Sequence, residues 1–301
     1  MTVLVVGESL VDVLIDAGGE ECRHAGGSPF NVAIGLARLG IPTRLATQLG
    51  ADTDGDLLRK ALADSSVDLQ TLSPQPACTA TASATIAADG SASYEFHLSW
   101  DPVELPDPAG FEAVHIGSIG TTLGPGADRV AAFVAAAAAT GVPVTFDPNV
   151  RLGIQPVAAE LRRRFDAIAP HAAVIKMSDE DAAAMFPGRP LDDLASELAA
   201  SGTLVTITRG GEGAIIRSGK LLVHVAVPPT DVVDTIGAGD SFMAAMIAGL
   251  AALSWPAALS SRQLESLGTL ATGAAAITCM RAGADPPGRS EVHELFTALN
   301  R

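Results

Sequence analysis

Cysteine and positive charge are both scarce in this chain. Its 301 residues include 3 cysteines, at positions 22, 78 and 279, with no CxxC pair. Few, widely spaced cysteines in odd number argue against a disulfide framework, and they predict a reduced, cytoplasmic protein. Lys and Arg number 19 against 34 Asp and Glu, a formal net charge of −15. This balance argues against nucleic acid or an anionic membrane surface as a partner.

Several motifs that would assign a function directly are also missing. The 6 histidines form no HxxxH or HExxH pair, so no zinc site is predicted. No uncharged apolar run reaches transmembrane length, and the N-terminus lacks the basic flank of a signal peptide. There is no GxxxxGK[ST] phosphate loop, and the GxG at Gly237 is followed by Phe242 where a dinucleotide fingerprint needs its third glycine.

Short apolar runs alternate with helical patterns over most of the chain, which is typical of an α/β protein with a mainly parallel sheet. The run Val3–Val6 predicts the first buried strand. Polar or Gly-rich stretches follow three later strands, at 147–151, 176–181 and 208–213. Because ligands of open α/β sheets gather at the carboxyl ends of the strands, these stretches predict a cleft along that edge.

One region departs from this alternation. Residues 79–86 and 93–98 each alternate in the manner of a strand, and Asp89-Gly90 between them is a strong hairpin signal. Together with residues 12–24, a segment of about 78–100 is predicted to form a small β-sheet lid. A lid would exclude water from a reaction that is prone to hydrolysis.

The stretch Asp234-Thr235-Ile236-Gly237-Ala238-Gly239-Asp240 runs into an apolar, Ala-rich helix. A helix N-terminus offers unpaired N–H groups and the positive end of the helix dipole, and glycines let an anion approach the backbone. Asp240 then places a carboxylate beside that anion, which suits a base in phosphoryl transfer. The structural alternative is a simple Gly-rich turn with an Asp cap.

A second helix, with residues typical of a helix start and a helix end, is predicted to begin near Ala25-Gly26-Gly27-Ser28-Pro29-Phe30-Asn31. Ser28 is predicted as the N-cap, Pro29 as the first helical residue, and Gly40 as the residue after the C-terminus. The Asn31 amide could reach a ligand that lies over Gly26 and Gly27, or the glycines could merely form the turn. Asp12 is predicted just beyond a core strand, as a ligand-binding or a solvated loop residue.

These two motifs, in this order, resemble those of the ribokinase-like (PfkB) carbohydrate kinases, and the resemblance covers essentially the whole chain. It implies a single kinase domain over 1–301, with a three-layer fold and a lid. It also implies an ATP-dependent sugar kinase with Asp240 as the base and the N–H groups of Gly237, Ala238 and Gly239 as the anion hole. The other implied residues are Asp12, Gly26, Gly27, Asn31 and Arg151 for the sugar, Thr208, Gly210, Gly213, Gly237 and Gly239 for the nucleotide, and Asp234, Ile236 and Gly283 for a monovalent cation, usually K⁺.

One motif departs from the family pattern. The family's Asn-x-x-Glu, linked to Mg²⁺ and phosphate placement, is Ser178-Asp179-Glu180-Asp181 here. Asp181 is the aligned carboxylate, and Glu180 is the alternative.

The residues of these motifs are most similar to those of fructokinase-like members of the family. This similarity predicts D-fructose as substrate and fructose 6-phosphate as product. Kinases of 2-keto-3-deoxygluconate carry an additional lid arginine, whereas residues 94–98 here contain none and include Glu95. Arg151 keeps an acidic keto-sugar open as an alternative. Other sugars or nucleosides also stay open, as does an inactive sugar-binding regulator. By analogy with relatives, a homodimer formed through the lid is expected.

Overall fold

The computed structural model describes residues 2–87, 91–151, 153–154 and 157–299, so the predicted Asp89-Gly90 turn lies outside the described residues. The β-strands are β1 Val3–Val6, β2 Leu10–Ile15, β3 Glu21–Gly26, β4 Thr43–Thr47, β5 Asp68–Thr71, β6 Ala80–Ile86, β7 Ala92–His97, β8 Ala113–Gly117, β9 Val144–Asp147, β10 Val174–Ser178, β11 Leu204–Thr208, β12 Ala214–Ser218 and β13 Leu221–Val225. The α-helices are α1 Ser28–Arg38, α2 Thr53–Asp64, α3 Gly126–Ala139, α4 Ala158–Ile168, α5 Asp179–Met185, α6 Leu191–Leu198, α7 Ala238–Ala252, α8 Ser261–Cys279 and α9 Arg289–Leu299.

The described strands form a large, mainly parallel sheet and a small sheet. The large sheet has the order β13-β12-β11-β10-β9-β8-β1-β4-β5. Among the described strand pairs of this sheet, only β11–β12 and β12–β13 are antiparallel. These findings confirm the predicted α/β class.

Helices cover both faces of the large sheet. Val3 and Val5 of β1 belong to one buried cluster, which includes side chains of α1, α7 and α8. The alternate residues Leu4 and Val6 belong to a second cluster, which includes side chains of α3, α4 and α6. Because successive strand residues point to opposite faces, an unbroken apolar run such as β1 requires a layer on each side. The three-layer arrangement is therefore confirmed.

Helix α7 is apolar on nearly all sides because it packs inside this arrangement. It lies against α1 and α8, and residues 240–247 are all buried. Gly249 lets α8 approach closely, since a Cβ there would lie 2.5 Å from a methyl carbon of Leu267. This packing fixes the position of the N-terminus of α7 relative to α1.

The small sheet has the order β3-β2-β6-β7. Its β2 and β6 are parallel, and β3 and β7 are antiparallel to their neighbours. Val11 and Val13 of β2 pack into the core from one face. Asp12 and Leu14 occupy the alternate positions of the same strand, so they belong to the other face. The sheet therefore matches the two segments predicted as a lid, although Asp12 lies within a strand rather than in a loop.

None of the helices in the described ranges is long and apolar enough to cross a membrane.

Candidate active site

The turn that opens α7 is shaped as an anion site requires. Gly237 is the N-cap residue, with a left-handed φ of 75°, and no side chain caps this helix end. A Cβ at Gly237 would lie 2.9 Å from Ala284 Cα, so glycine is needed both for the backbone angle and for the space. Of the predicted anion-hole amides, that of Ala238 donates a long hydrogen bond of 3.3 Å to Thr235 O. The first amides of α7 therefore lie at the positive end of its dipole without a side-chain cap.

Asp240 lies in the first turn of α7 and is buried. Ser28 Oγ donates a hydrogen bond of 2.6 Å to its Oδ1, and Asn31 Nδ2 donates one of 2.8 Å to its Oδ2. Asn149, which has a positive φ of 39°, places its Nδ2 3.5 Å from Oδ1. The two motifs are 212 positions apart in the chain at the Ser28 contact. The structure thus joins them at one carboxylate, with both oxygens oriented by donors.

The prediction that Ser28 caps α1 is wrong. The N-cap is Gly27, at φ 104°, and no side chain makes a capping bond. A Cβ on Gly27 would lie 2.9 Å from Glu8 O, so the chain has to enter α1 through glycine. Ser28 is therefore already inside the helix, and its hydroxyl is used on Asp240 instead. The prediction that Gly40 follows the end of α1 is confirmed by its left-handed φ of 84°.

Asp12 is opposite His24 across β2 and β3, and a Cβ on the nearby Gly26 would overlap the Asp12 carboxylate. The loss of surrounding water raises the pKa of Asp12 above its ordinary value, and the charges of His24 and Arg151 lower it in part. The structure therefore brings Asp12 and Arg151, both predicted for the sugar, into electrostatic contact. The side chain of Arg151 is exposed.

Ser178 and Asp181 form a reciprocal capping box at the start of α5. Asp181 Oδ2 accepts a hydrogen bond of 2.8 Å from Ser178 N, and its Oδ1 accepts one of 2.7 Å from Val150 N. Asp181 is buried, whereas Glu180 is exposed. The aligned carboxylate thus ties α5 to the segment that carries Asn149, with one backbone amide on each oxygen.

The residues predicted for the nucleotide lie at the end of β11 and in the loop that follows it. Thr208 ends β11, and Gly210 and Gly213 have left-handed φ values of 49° and 89°. A Cβ on Gly213 would overlap Val225 O, so the loop needs glycine there.

The predicted cation residues also come together. Asp234 Oδ1 accepts a hydrogen bond of 3.0 Å from Ile236 N, and its Oδ2 accepts one of 2.8 Å from Gly283 N. The bond from Gly283, followed by that from Ile236, lowers the pKa of Asp234 below its ordinary value. Asp234, Ile236 and Gly283 therefore form one connected unit beside the α7 turn.

Comparison with known proteins identifies the family. The model of the pfkB family of carbohydrate kinases matches residues 2–290. The chain belongs to this family. Membership makes it a sugar kinase, a phosphotransferase.

Individual pfkB proteins match over nearly the full length. A fructokinase of Rhizobium leguminosarum bv. trifolii is 33% identical over 302 residues, covering 96% of this chain and 88% of that protein. The structure of a fructokinase with bound ATP from Xylella fastidiosa has a TM-score of 0.83 at 24% identity, covering 100% of this chain and 99% of that one. A double-mutant fructokinase of Vibrio cholerae O395 with fructose, ADP and potassium ion bound has a TM-score of 0.80 at 23% identity, covering 97% of each chain. These two structures establish the shared fold.

Glu8 is a buried acid of this pfkB kinase that the sequence reasoning missed. It follows β1, and its Oε2 accepts a hydrogen bond of 2.7 Å from Gly120 N. Burial raises the pKa of Glu8 from 4.5 to about 7, although hydrogen bonds, including those from Gly120 and Ile119, oppose the rise. The residue ties the chain entering the small sheet to the loop after β8. A Glu directly after a buried apolar strand was the available sequence signal.

We expect Glu8 to make the stability of the kinase fall as the pH rises. The folded-state pKa lies above the unfolded value, so this stabilisation is complete below pH 4.5 and is lost as the pH rises through about 7. The difference between the two values corresponds to roughly 3 kcal/mol in the free energy of unfolding. Urea unfolding of the wild type and Glu8→Gln across this range measures it. A wild type whose stability relative to Glu8→Gln does not fall with pH would contradict the assignment.

Proposed function

We propose that this pfkB kinase is a fructokinase, which transfers the γ-phosphoryl group of ATP to the 6-hydroxyl of D-fructose. The buried Asp240 carboxylate, oriented by Ser28 and Asn31 at the uncapped start of α7, is the observation that carries the chemistry. The 33% identical fructokinase of R. leguminosarum supports the substrate.

In this proposal Asp240 accepts the proton of the attacking sugar hydroxyl. The hydroxyl oxygen forms a bond to the γ-phosphorus as the bond to the leaving ADP oxygen breaks. The backbone N–H groups of Gly237, Ala238 and Gly239 stabilise the phosphoryl oxygens, helped by the positive end of the α7 dipole. Thr208, Gly210 and Gly213 hold the nucleotide, together with Gly237 and Gly239.

Asp12, Gly26, Gly27, Asn31 and Arg151 are the proposed sugar-binding residues. The lid strand favours a neutral ketose, because an acidic substrate would gain from an arginine in residues 94–98, and this stretch contains none. Glu95 pairs with His97, and it lies in one row with Ser83 and Val13, on the face of the sheet opposite Asp12. The electrostatic contact of Arg151 with Asp12 favours a second candidate, an acidic keto-sugar such as 2-keto-3-deoxygluconate.

ATP would bring Mg²⁺ with it. Mg²⁺ usually keeps several waters and takes one or two protein carboxylates besides the substrate phosphates. In the described ranges, no group of three or more His, Cys, Asp and Glu side chains could hold a metal ion, and this fits a metal carried mainly by the nucleotide. We propose that Asp181 and Glu180 contribute indirectly to the placement of Mg²⁺. Mg²⁺ would neutralise charge that develops on the phosphates.

We expect Asp234→Asn to weaken potassium activation, because the Asp234 carboxylate accepts from the amides of Ile236 and Gly283 and so holds the proposed potassium site together. The half-saturating potassium concentration for kcat should rise roughly 10- to 100-fold, as for lost second-shell support of a metal site. Titration with potassium at constant ionic strength measures this. Asp231→Asn is the matched control, because Asp231 is exposed three residues earlier in the same segment. Equal potassium dependence in the wild type and Asp234→Asn would refute the site.

The small sheet is the proposed lid of a single kinase domain, and its outer end is the proposed dimer contact. Leu14 and Tyr94 are 45% and 67% exposed, and they lie in one row with Ala84 across the sheet. A second copy would cover this apolar row, and sedimentation velocity of Tyr94→Lys tests it. We place the kinase in the cytoplasm, where its free cysteines stay reduced.

Initial rates of ADP release across a sugar panel test the proposed substrate. The panel contains D-fructose, 2-keto-3-deoxygluconate, D-ribose, tagatose and adenosine, with ATP, Mg²⁺ and potassium present. The highest kcat/KM on D-fructose is expected. A highest value on the keto-acid would assign Arg151 as the carboxylate partner. Absence of turnover on every compound would favour a sugar-binding regulator.

A further inference from the structure

A buried ion pair lies on the sheet face that α7 covers. Lys176 in β10 and Asp147 at the end of β9 are 3% and 0% exposed, and Lys176 Nζ lies 2.8 Å from Asp147 Oδ2. The two strands are parallel neighbours. Because burying both charges costs several kcal/mol per ion, such a pair is a poor device for stability alone.

The ammonium of Lys176 lies directly beneath the anion-binding turn. A Cβ placed on Gly239 would be 2.9 Å from Lys176 Nζ. A cation at this place faces the positive end of the α7 dipole, which is unfavourable unless negative charge lies nearby. The position of Lys176 therefore requires carboxylates or a bound anion close to it.

The charges around Lys176 are mostly negative. Asp147, Asp181 and Asp240 all interact electrostatically with it. The remaining titratable neighbour is the buried His115, whose pKa is lowered to about 3 by burial and by Lys176, so that its ring is neutral. Three carboxylates thus face one ammonium before any phosphate has bound.

We propose that Lys176 is a positioning residue for phosphoryl transfer, whose buried ammonium supports the Gly237–Gly239 turn from below and offsets the negative charge gathered at Asp240 and the phosphoryl group. This inference rests on the proposed roles of Asp240 and of that turn. The negative charges of Asp240 and of the phosphoryl group are closest together during phosphoryl transfer. A fixed positive charge nearby therefore stabilises the transition state more than the bound substrates.

The test compares Lys176→Met with the double variant D147N/K176M. The single variant leaves a buried, unpaired carboxylate, whereas the double variant replaces the pair with two neutral side chains and is expected to unfold near the wild-type temperature. In both variants kcat on D-fructose should fall roughly 10- to 100-fold while the KM for D-fructose changes little. The affinity for ADP with aluminium fluoride, a mimic of the transferring phosphoryl, should fall in parallel.

A purely structural ion pair gives a different result. In that case the double variant recovers both the unfolding temperature and kcat, and the inference is overturned. Unchanged kcat in Lys176→Met overturns it as well. If the wild type phosphorylates no sugar, the proposed function fails. The ADP–aluminium fluoride affinity, which needs no turnover, then decides the role of Lys176: a loss in both variants supports it, and wild-type affinity in the double variant rejects it.

Discussion

Asp240→Asn is expected to lower kcat on D-fructose by roughly 10²- to 10⁴-fold, the range that a general base contributes. The substitution keeps the shape of the side chain but removes its ability to accept the hydroxyl proton. Ser28 Oγ and Asn31 Nδ2 both donate to this carboxylate, at 2.6 and 2.8 Å. An amide can satisfy one of these donors through its oxygen, so the buried site should stay folded and D-fructose binding should be retained.

Steady-state kinetics and calorimetric binding of D-fructose to Asp240→Asn make this measurement. Asp166→Asn is the matched control, because Asp166 is a half-exposed residue of α4 that pairs with Arg162. Its kcat should equal that of the wild type, since a surface ion pair of this kind contributes little. Full activity in Asp240→Asn would show that another group takes the proton.

Gly237→Ala is expected to lower kcat/KM for ATP by roughly 10²- to 10³-fold, the loss typical of a disturbed oxyanion hole. Two effects act together. The φ of 75° is unfavourable for a residue with a Cβ, and that Cβ would lie 2.6 Å from Ala284 Cβ. Relief of this overlap has to move the start of α7, and the anion-binding amides move with it.

Gly219→Ala separates these two effects. Gly219 also has a left-handed φ, of 54°, but nothing lies within 4 Å of a Cβ built there. The Gly219→Ala variant should lose roughly 1 kcal/mol in its free energy of unfolding and keep the kinetic constants of the wild type. Kinetic constants of Gly237→Ala that match those of Gly219→Ala would remove the α7 turn from the nucleotide site.

The strand and helix order and the two motifs could be predicted from the sequence because both depend on local pattern. The contact between the motifs could not. Ser28 satisfies every local rule for an N-cap, yet its hydroxyl is used on Asp240, 212 positions away. Asp12 likewise looked like a loop residue after β1, because β2 pairs with β6, a strand that lies far along the chain.

The buried charges were missed for a related reason. Lys176 interrupts the apolar run of β10, and a single charged residue in such a run says only that a partner has to exist. Its partner Asp147 is 29 positions away. Asp147 lies on β9, and the local sequence does not show that β9 is the neighbour of β10 in the sheet. Glu8 gave the same incomplete signal, since its partners are backbone amides of the loop after β8. A charge next to a buried strand therefore predicts a site before its partners are known.

The most direct test of the account is the chemical identity of the product. The wild type is incubated with ATP, Mg²⁺, potassium and D-fructose, and ADP and sugar phosphate are quantified together, with phosphorus–proton correlation NMR to locate the ester. We predict one fructose 6-phosphate for each ADP, with the phosphorus coupled to two protons that themselves couple to H5, which distinguishes C6 from C1. With Asp240→Asn we predict that both products form roughly 10²- to 10⁴-fold more slowly. ADP formed without a sugar phosphate, or equal product from Asp240→Asn, would contradict the assignment of this site as a sugar kinase centre built on Asp240.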